Sequence, residues 1–224
     1  MPAVFVTSTG TEIGKTFVTA GLTRHLRAAG RAVAAIKPIV TGYDPDAAEG
    51  SDPAVLLDAL GRSTTPEEIA RIAPWRFATA VAPDLAAKRE GRAVDFSALV
   101  SFCQRAIDSS ELLLIEGVGG VMVPLDDRHT VIDWISALRV PVIVVVGSYL
   151  GTISHTLTAL HVLAQRKLAI IAVVVSETPG SPVPLDETVA SIGRFADMID
   201  VIPLPRLAPG PQTHPAFSAI AALL

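Results

Sequence analysis

The chain has 224 residues, of which 50% are hydrophobic and 18% charged, with a formal net charge of -4. This length and apolar content suffice for a folded core and exclude an intrinsically disordered chain, so we expect one domain over residues 1–224. The acidic balance gives no sign of a basic patch, so nucleic acid is not an expected partner.

A secreted or membrane-embedded protein is also not expected. The chain has one cysteine, Cys103, which excludes an intramolecular disulfide framework. We find no basic segment followed by a long apolar stretch at the N-terminus, and apolar runs such as residues 140–146 are too short to span a bilayer. The sequence therefore predicts a cytoplasmic protein without a membrane partner.

Short β-branched runs alternate with helical patterns along the chain. The predicted strands are residues 3–7, 32–36, 112–116, 142–146, 170–175 and 201–202, and the predicted helices are 17–29, 95–107, 131–138, 152–166 and 186–195. Continuously apolar strands suit burial on both faces, and strand–helix alternation favours parallel pairing with right-handed crossovers. We predict an α/β fold with a mostly parallel central sheet and helices on both faces. Segments 38–52 and 64–91 contain glycine and proline and are predicted to be irregular, and the proline-rich tail 203–215 is predicted to run over the surface.

The first predicted strand leads into the loop STGTEIGKT, residues 8–16. It follows the P-loop pattern, although Thr9 stands where the common pattern has glycine. Backbone N–H groups in such a loop and the start of the next helix form an anion cradle. A lysine here reaches the β- and γ-phosphates and a threonine hydroxyl binds Mg²⁺. We expect nucleotide contacts from Glu12, Ile13, Gly14, Lys15, Thr16 and Phe17.

Glu12 is unusual in a phosphate-binding loop, because a triphosphate repels a carboxylate. Two interpretations stay open: a solvated side chain, or a contact with a protonated amine of the substrate.

The second predicted strand ends at Lys37-Pro38, and Lys37 is one of only four lysines in the chain. Because ligands bind outside the carboxyl ends of parallel strands, Lys37 is expected on the same rim as the phosphate loop. It is either a solvated edge charge or, as we favour, a group that stabilises negative charge on a transferring phosphoryl group or nearby oxyanion. Thr41, four residues later, is expected to offer its hydroxyl to the substrate.

Two acidic residues are candidate metal ligands. Asp52 precedes a helical stretch and is either part of a helix N-terminal cap or a ligand. Glu116 ends a buried apolar strand, the Walker B position of P-loop proteins, where an acidic residue binds Mg²⁺ directly or through water. The glycine-rich residues that follow let the backbone approach a ligand, so nucleotide contacts are expected from Gly117, Val118 and Gly119.

Taken in order, residues 10–16, 37–42, 50–52 and 116–120 resemble the dethiobiotin synthetase family. Residues 150–155 and 81–87 resemble further segments of that family, and the resemblance extends from about residue 4 to residue 205. It implies a P-loop NTPase-like fold and an enzyme that uses Mg²⁺, ATP and CO₂ to close a ureido ring on 7,8-diaminononanoate. The implied route passes through a carbamate and a mixed carbamic-phosphoric anhydride.

The resemblance also implies roles for individual residues and a homodimer. Lys15 and Lys37 would flank the reacting groups, with Glu12 near the amines. Thr16, Asp52 and Glu116 would hold Mg²⁺, and Thr11 and Thr41 would contact the diamine or carbamate. The substrate carboxylate of the neighbouring subunit would bind at a helix start formed by Gly151, Thr152, Ile153 and Ser154.

The chain departs from the family in having no asparagine. Ser176 and Ser154 match positions where the family has asparagine, and a serine cannot make the bidentate contact of an amide with adenine. Another nucleoside triphosphate is therefore expected to serve as well as ATP. The residues expected beside the base are Ser176, Glu177, Pro203, Leu204 and Pro205, although the last three are equally typical of a proline-rich connection.

Two other functions fit parts of the sequence. A switch ATPase of the ParA or MinD type would bind a protein partner, but those proteins carry a second lysine inside the phosphate loop, where this chain has only Lys15. The synthetase half of a glutamine-dependent amidotransferase would need a glutaminase domain with a nucleophilic cysteine, whereas Cys103 lies in a helix-like stretch.

Overall fold

The computed structural model describes residues 2–208 and 213–224. Its strands are β1 (Ala3–Ser8), β2 (Ala34–Ile36), β3 (Ile39–Thr41), β4 (Trp75–Phe77), β5 (Leu113–Glu116), β6 (Val142–Gly147), β7 (Ile170–Ser176) and β8 (Asp200–Leu204). Six of them form a parallel sheet in the order β2-β5-β1-β6-β7-β8. The parallel central sheet predicted from the sequence is confirmed.

Helices connect and cover these strands. They are α1 (Lys15–Ala28), α2 (Asp52–Ala59), α3 (Pro66–Ile72), α4 (Pro83–Arg89), α5 (Phe96–Asp108), α6 (Val131–Leu138), α7 (Thr152–Gln165), α8 (Leu185–Gly193) and α9 (Pro215–Ala221). Every residue of β1 and β6 is buried, which requires cover on both faces of the sheet. Phe5 of β1 packs edge-on against Trp134 of α6, with ring centroids 4.8 Å apart.

The prediction that residues 38–52 and 64–91 are irregular is wrong in part. The first segment contains β3 and a 3₁₀ turn at Pro45–Gly50, and the second contains α3, β4 and α4. Strands β3 and β4 pair in parallel, with Ile39 opposite Trp75, in a separate two-stranded sheet. Each has three residues and pairs only with the other, so neither leaves a recognisable pattern in its own stretch of sequence.

The C-terminal region also differs from the sequence prediction. Strand β8 continues to Leu204, two residues beyond the predicted end, and α9 was not predicted. Residues 209–212 of the proline-rich tail lie outside the described residues. Across the described ranges, none of the helices combines the length and apolar character needed to cross a membrane.

The topology brings the chemistry to one edge of the sheet. Strands β1, β5 and β2 are neighbours and run in the same direction, so their carboxyl ends meet. The loop 8–16 follows β1, Lys37 follows β2, and Glu116 is the last residue of β5. A parallel sheet binds its ligands at this edge.

Candidate active site

The two sequence-predicted lysines line one cavity of about 690 Å³, which we call the lysine cavity. The predicted residues around it are Thr11, Glu12, Gly14, Lys15, Thr16, Lys37, Thr41, Asp52, Val118 and Gly119. The convergence of Lys15 and Lys37 expected from the sequence is therefore present in the structure.

The loop after β1 holds Lys15 in a folded-back position. Its ammonium donates hydrogen bonds to Ser8 Oγ and to the carbonyl oxygen of Gly10, both at 3.0 Å. Gly14 has φ 106°, in the left-handed region that favours glycine, and leads directly into α1. Burial and the nearby ammonium of Lys37 lower the pKa of Lys15 to about 8. The loop thus presents a buried cation at the start of a helix, where anions bind.

Gly120 lets the chain after β5 approach this loop closely. A Cβ atom added at Gly120 would lie 3.1 Å from the carbonyl group of Thr9 and 3.2 Å from the backbone nitrogen of Gly10. The backbones of the two loops are therefore in contact.

Lys37 forms the centre of a buried ionic cluster. Its ammonium lies 2.6 Å from Glu116 Oε1 and 3.0 Å from Asp52 Oδ2, and it donates to the carbonyl oxygen of Gly117 at 3.2 Å. Lys37 and Glu116 are 4% and 0% exposed, whereas Asp52 is partly exposed. The carbonyl oxygen of Gly117 is thus the third oxygen in contact with the Lys37 ammonium.

The pKa values follow from this pairing. Burial by itself would lower the pKa of Lys37, but Glu116 and Asp52 outweigh it and raise the pKa above the ordinary value. Burial would raise the pKa of Asp52, but Lys37 outweighs it and lowers that pKa. Both groups are therefore charged at neutral pH.

The same cluster has the oxygen donors of a Mg²⁺ site. Thr16 donates a hydrogen bond to Glu116 Oε1 at 2.6 Å, which joins the phosphate loop to the end of β5. Glu116 Oε2 is buried and has no hydrogen-bond partner, as expected of an oxygen that awaits a cation. Across the described ranges there is no group of three or more histidine, cysteine, aspartate or glutamate side chains placed so that they could hold a metal ion together. Two carboxylates and a hydroxyl suit Mg²⁺, whose remaining ligands are usually phosphates and water.

The far wall of the lysine cavity was missed by the sequence prediction. It consists of Gly42, Ala80, Val81, Ala82, Pro83 and Val123. Gly42 packs against Ala80, to whose Cβ an added Cβ would approach 3.0 Å, so the β3 end and the segment before α4 touch. In the sequence, residues 81–87 are distinguished only by the family resemblance, because small apolar residues in a loop do not by themselves indicate a binding site.

A second cavity, of about 740 Å³, lies on the other side of the phosphate loop and is called the Phe17 cavity. Its predicted lining residues are Glu12, Ile13, Gly14, Phe17, Ser176, Glu177 and Pro205. The sequence prediction missed Ala20, Arg24, Val55, Asp58, Thr178, Pro179, Arg206, Leu207 and Ala208. Glu12 and Gly14 line both cavities, so a single elongated ligand that spans the phosphate loop would reach from one cavity into the other.

Pro203 and Leu204, which the sequence predicts to lie beside the base, do not line the Phe17 cavity. Both belong to β8; Leu204 is fully buried and its carbonyl oxygen accepts a hydrogen bond from the N–H of Glu177 at 2.9 Å. The chain reaches the cavity only at Pro205 and beyond. There the N–H of Arg206 donates to Glu177 Oε2 at 2.8 Å and fixes that carboxylate at the cavity wall.

Comparison with known proteins identifies the family of this chain. A family model described as "AAA domain" matches residues 2–211. An ATP-dependent dethiobiotin synthetase BioD of Methylobacterium nodulans is 51% identical over 88% of this chain and 90% of its own length. The enzyme of the same name from Acidiphilium cryptum is 49% identical over 87% and 88% of the two chains. The chain belongs to the dethiobiotin synthetase family.

Solved structures with lower identity share the fold of this family member. A ParA-family ATPase from Chlorobium tepidum matches with a TM-score of 0.56 at 15% identity, covering 92% of this chain and 86% of its own. The septum site-determining protein MinD from Pyrococcus horikoshii matches with a TM-score of 0.52 at 16% identity, over 90% and 80% of the two chains. At such identities the likeness concerns the P-loop NTPase-like fold alone.

The start of α7, which the family resemblance assigns to the substrate carboxylate, lies apart from both cavities. None of the residues Gly151, Thr152, Ile153 and Ser154 lines the lysine cavity or the Phe17 cavity in the part of the chain that the structure describes. Thr152 is buried and its hydroxyl donates to the carbonyl oxygen of Gly147 at 2.8 Å, so this hydroxyl already has a partner within the chain. Gly151 and Ser154 are exposed.

Proposed function

We propose that the lysine cavity and the Phe17 cavity together form the active site at which this chain closes the ureido ring of dethiobiotin. Its curated relatives make the chain an ATP-dependent carbon–nitrogen ligase of biotin biosynthesis. One observation carries the assignment of the site. Lys15 and Lys37, both buried, line one cavity with Asp52 and Thr16 beside a phosphate loop, and Lys37 contacts the buried carboxylate of Glu116.

The proposed reaction has three bond-forming steps. One amine of 7,8-diaminononanoate adds to CO₂ and loses a proton, which gives a carbamate. A carbamate oxygen attacks the γ-phosphorus of ATP, the bond to the β–γ bridging oxygen breaks, and ADP leaves. The second amine attacks the carbonyl carbon of the resulting carbamic-phosphoric anhydride, loses a proton and expels inorganic phosphate as the ring closes.

The lysines supply the charge that these steps require. Lys15 is proposed to bind the β- and γ-phosphates and Lys37 the oxygens shared by the carbamate and the transferring phosphoryl group. Preorganised cations in a buried site stabilise developing negative charge more strongly than they would in water. Thr11 and Thr41 line the same cavity and are proposed to orient the diamine or carbamate, with the Glu12 carboxylate near the amines.

Thr16, Asp52 and Glu116 are proposed to hold Mg²⁺. The ion would neutralise phosphate charge during transfer. The cluster formed by Lys15, Lys37, Asp52 and Glu116 has no net charge, so it does not compensate a triphosphate without a further cation. The unpartnered Oε2 atom of Glu116 supports this assignment.

The nucleoside is proposed to lie in the Phe17 cavity. Ile13 and Phe17 offer apolar surface, and Ser176, Glu177 and Pro205 lie around them. Ser176 supplies a single hydroxyl where the family has an amide, so we propose that the chain accepts other nucleoside triphosphates besides ATP.

The substrate carboxylate is proposed to bind at the exposed start of α7 in the neighbouring subunit of a homodimer. Ser154 and the backbone of Gly151 and Ile153 would receive it, because a helix N-terminus favours an anion. The separation of these residues from both cavities supports a site completed by a second subunit.

The test is to incubate the chain with 7,8-diaminononanoate, bicarbonate and Mg²⁺ and to vary the nucleoside triphosphate. Mass spectrometry should detect the cyclic urea, and phosphate should appear only when the diamine and CO₂ are both present. Phosphate release that needs neither would instead indicate a switch ATPase. Light scattering at micromolar concentration would test the dimer.

A further inference from the structure

Lys37 and the proposed divalent cation depend on the same two carboxylates. Glu116 Oε1 and Asp52 Oδ2, on two of the three proposed Mg²⁺ ligands, are the atoms that contact the Lys37 ammonium at 2.6 and 3.0 Å. The third ligand, Thr16, donates to that same Glu116 Oε1. An ammonium group therefore lies in the middle of the ligand set.

Burial makes simultaneous occupation unfavourable. A Mg²⁺ ion binds carboxylate oxygens at about 2.1 Å. An ammonium retained at its hydrogen-bond distance from the same carboxylates would be only a few ångströms from the ion and strongly repelled at low dielectric. Conversely, Glu116 is fully buried, and a buried carboxylate without a cation strongly destabilises the fold. The carboxylates of Asp52 and Glu116 therefore require one cation, either the Lys37 ammonium or the metal ion. Both cations together are unfavourable.

We propose that Asp52 and Glu116 exchange cations, holding the Lys37 ammonium until a divalent cation binds and then releasing it into the lysine cavity. The inference rests on the proposed function, which assigns the metal to these ligands. Because Lys37 lines the same cavity as Lys15, the released ammonium can turn to the phosphate and carbamate oxygens without leaving the site. Metal binding and the positioning of Lys37 are then one event, and Lys37 acts on the reacting groups only after the metal is bound.

The experiment measures the binding of Mn²⁺ alone, without nucleotide or diamine. Free Mn²⁺ is followed by electron paramagnetic resonance for the unaltered chain and for Lys37→Met. The variant lacks the competing ammonium, so it should bind Mn²⁺ about tenfold more tightly or better, which corresponds to about 1.4 kcal/mol. Unchanged or weaker Mn²⁺ affinity in Lys37→Met would overturn the proposal.

Lys15→Met is the matched control. It also removes a buried ammonium from the lysine cavity, but one that bonds to Ser8 and Gly10 rather than to the carboxylates. Its gain in Mn²⁺ affinity should be clearly smaller than that of Lys37→Met. Equal gains would mean that a general positive field, and not occupation of the ligand atoms, opposes the metal, and would also overturn the proposal.

A folding readout covers the case in which Lys37→Met unfolds because Glu116 has lost its counter-ion. Circular dichroism should then show that Mn²⁺ restores the fold, whereas a variant that Mn²⁺ does not restore would refute the exchange. The result is separable from the proposed function. A chain that forms no cyclic urea would refute that function, yet the Mn²⁺ comparison needs neither substrate and would still decide the exchange.

Discussion

The two cavities on either side of the phosphate loop are built differently. At the lysine cavity the charges are in direct contact, with the buried Lys37 held between the buried Glu116 and the partly exposed Asp52. In the Phe17 cavity the charges lie at the rim, as in the Arg24–Asp58 pair, whose side chains are 27% and 71% exposed. At the lysine cavity, contacts between opposite charges therefore fix the positions of the side chains. The Phe17 cavity offers apolar surface with few directional contacts.

This difference explains where the chain can depart from its family. Replacing a member of the buried cluster leaves a partner uncompensated, which is costly at low dielectric. Replacing an amide by Ser176 at the edge of the Phe17 cavity changes one set of hydrogen bonds that water can substitute. Substitutions in the two cavities should accordingly differ in the size of their effects.

The largest effect is expected from Lys37→Gln. The amide can still donate to Glu116, so the fold should persist, but the charge near the transferring phosphoryl group is lost. Ring formation should fall by at least about 10²-fold, the scale for loss of one preorganised stabilising group. Mass spectrometry of the cyclic urea measures it.

Two controls accompany that variant. Lys88→Gln, on the exposed side of α4, should be as active as the unaltered chain. The second control tests the fold of Lys37→Gln. Burial raises the pKa of the Cys103 thiol to about 12, so in this variant the thiol should stay inert to thiol reagents at pH 8 while the core is intact. A fully active Lys37→Gln enzyme would show that the reacting centre lies elsewhere.

Glu116→Gln should have the next largest effect, on the metal requirement. The neutral amide binds Mg²⁺ poorly, so the Mg²⁺ concentration for half-maximal activity should rise about tenfold or more, on the scale seen when metal sites lose a supporting group. The measurement is activity against Mg²⁺ at saturating nucleotide. Glu111→Gln, an exposed residue just before β5, is the matched control and should leave that concentration unchanged. An unchanged Mg²⁺ requirement in Glu116→Gln would remove Glu116 from the ligand set.

Ser176→Asn should have a moderate effect confined to nucleotide choice. One added hydrogen bond contributes about 1 kcal/mol, so KM for ATP should fall about fivefold while kcat changes little. The ranking of nucleoside triphosphates should shift towards ATP. If that ranking does not change, the base does not lie beside Ser176.

Asp58→Ala should have the smallest effect. It breaks the exposed ion pair with Arg24 at the rim of the Phe17 cavity, and such pairs contribute about 0–1 kcal/mol to stability. Denaturant unfolding should show a loss within that range, and KM for ATP should change by less than about twofold. A larger loss would mean that charges at this rim matter as much as those in the buried cluster.

Much of the lysine cavity was predictable because its residues follow strand ends. Lys15 ends the loop that follows β1, Lys37 directly follows β2 and Glu116 is the last residue of β5, and parallel pairing brings such strand ends together. Asp52 could be interpreted either as part of a helix cap or as a metal ligand. In the structure the cap residue of α2 is Ser51, whereas Asp52 is the first residue of the helix and its carboxylate contacts Lys37, so its role as a metal ligand stays a prediction.

The Phe17 cavity was less predictable because its walls come from distant, chemically plain segments. Val55 of α2, Pro179 after β7 and Leu207 after β8 meet only through the packing of the chain. Pro203 and Leu204 lie outside the Phe17 cavity for a related reason. The end of β8 is set by its pairing with β7, which extends to Leu204 opposite Ser176.

By itself, the sequence determined the parallel sheet, the phosphate loop and the residues that meet at its edge, because strand periodicity and strand-end position are local properties of the chain. Only the tertiary structure decided the pairing of β3 with β4, the apolar wall from Ala80 to Pro83 and the ionic contacts of Lys37. Those features arise from contacts between residues far apart in the chain, and their geometry depends on how the whole core packs.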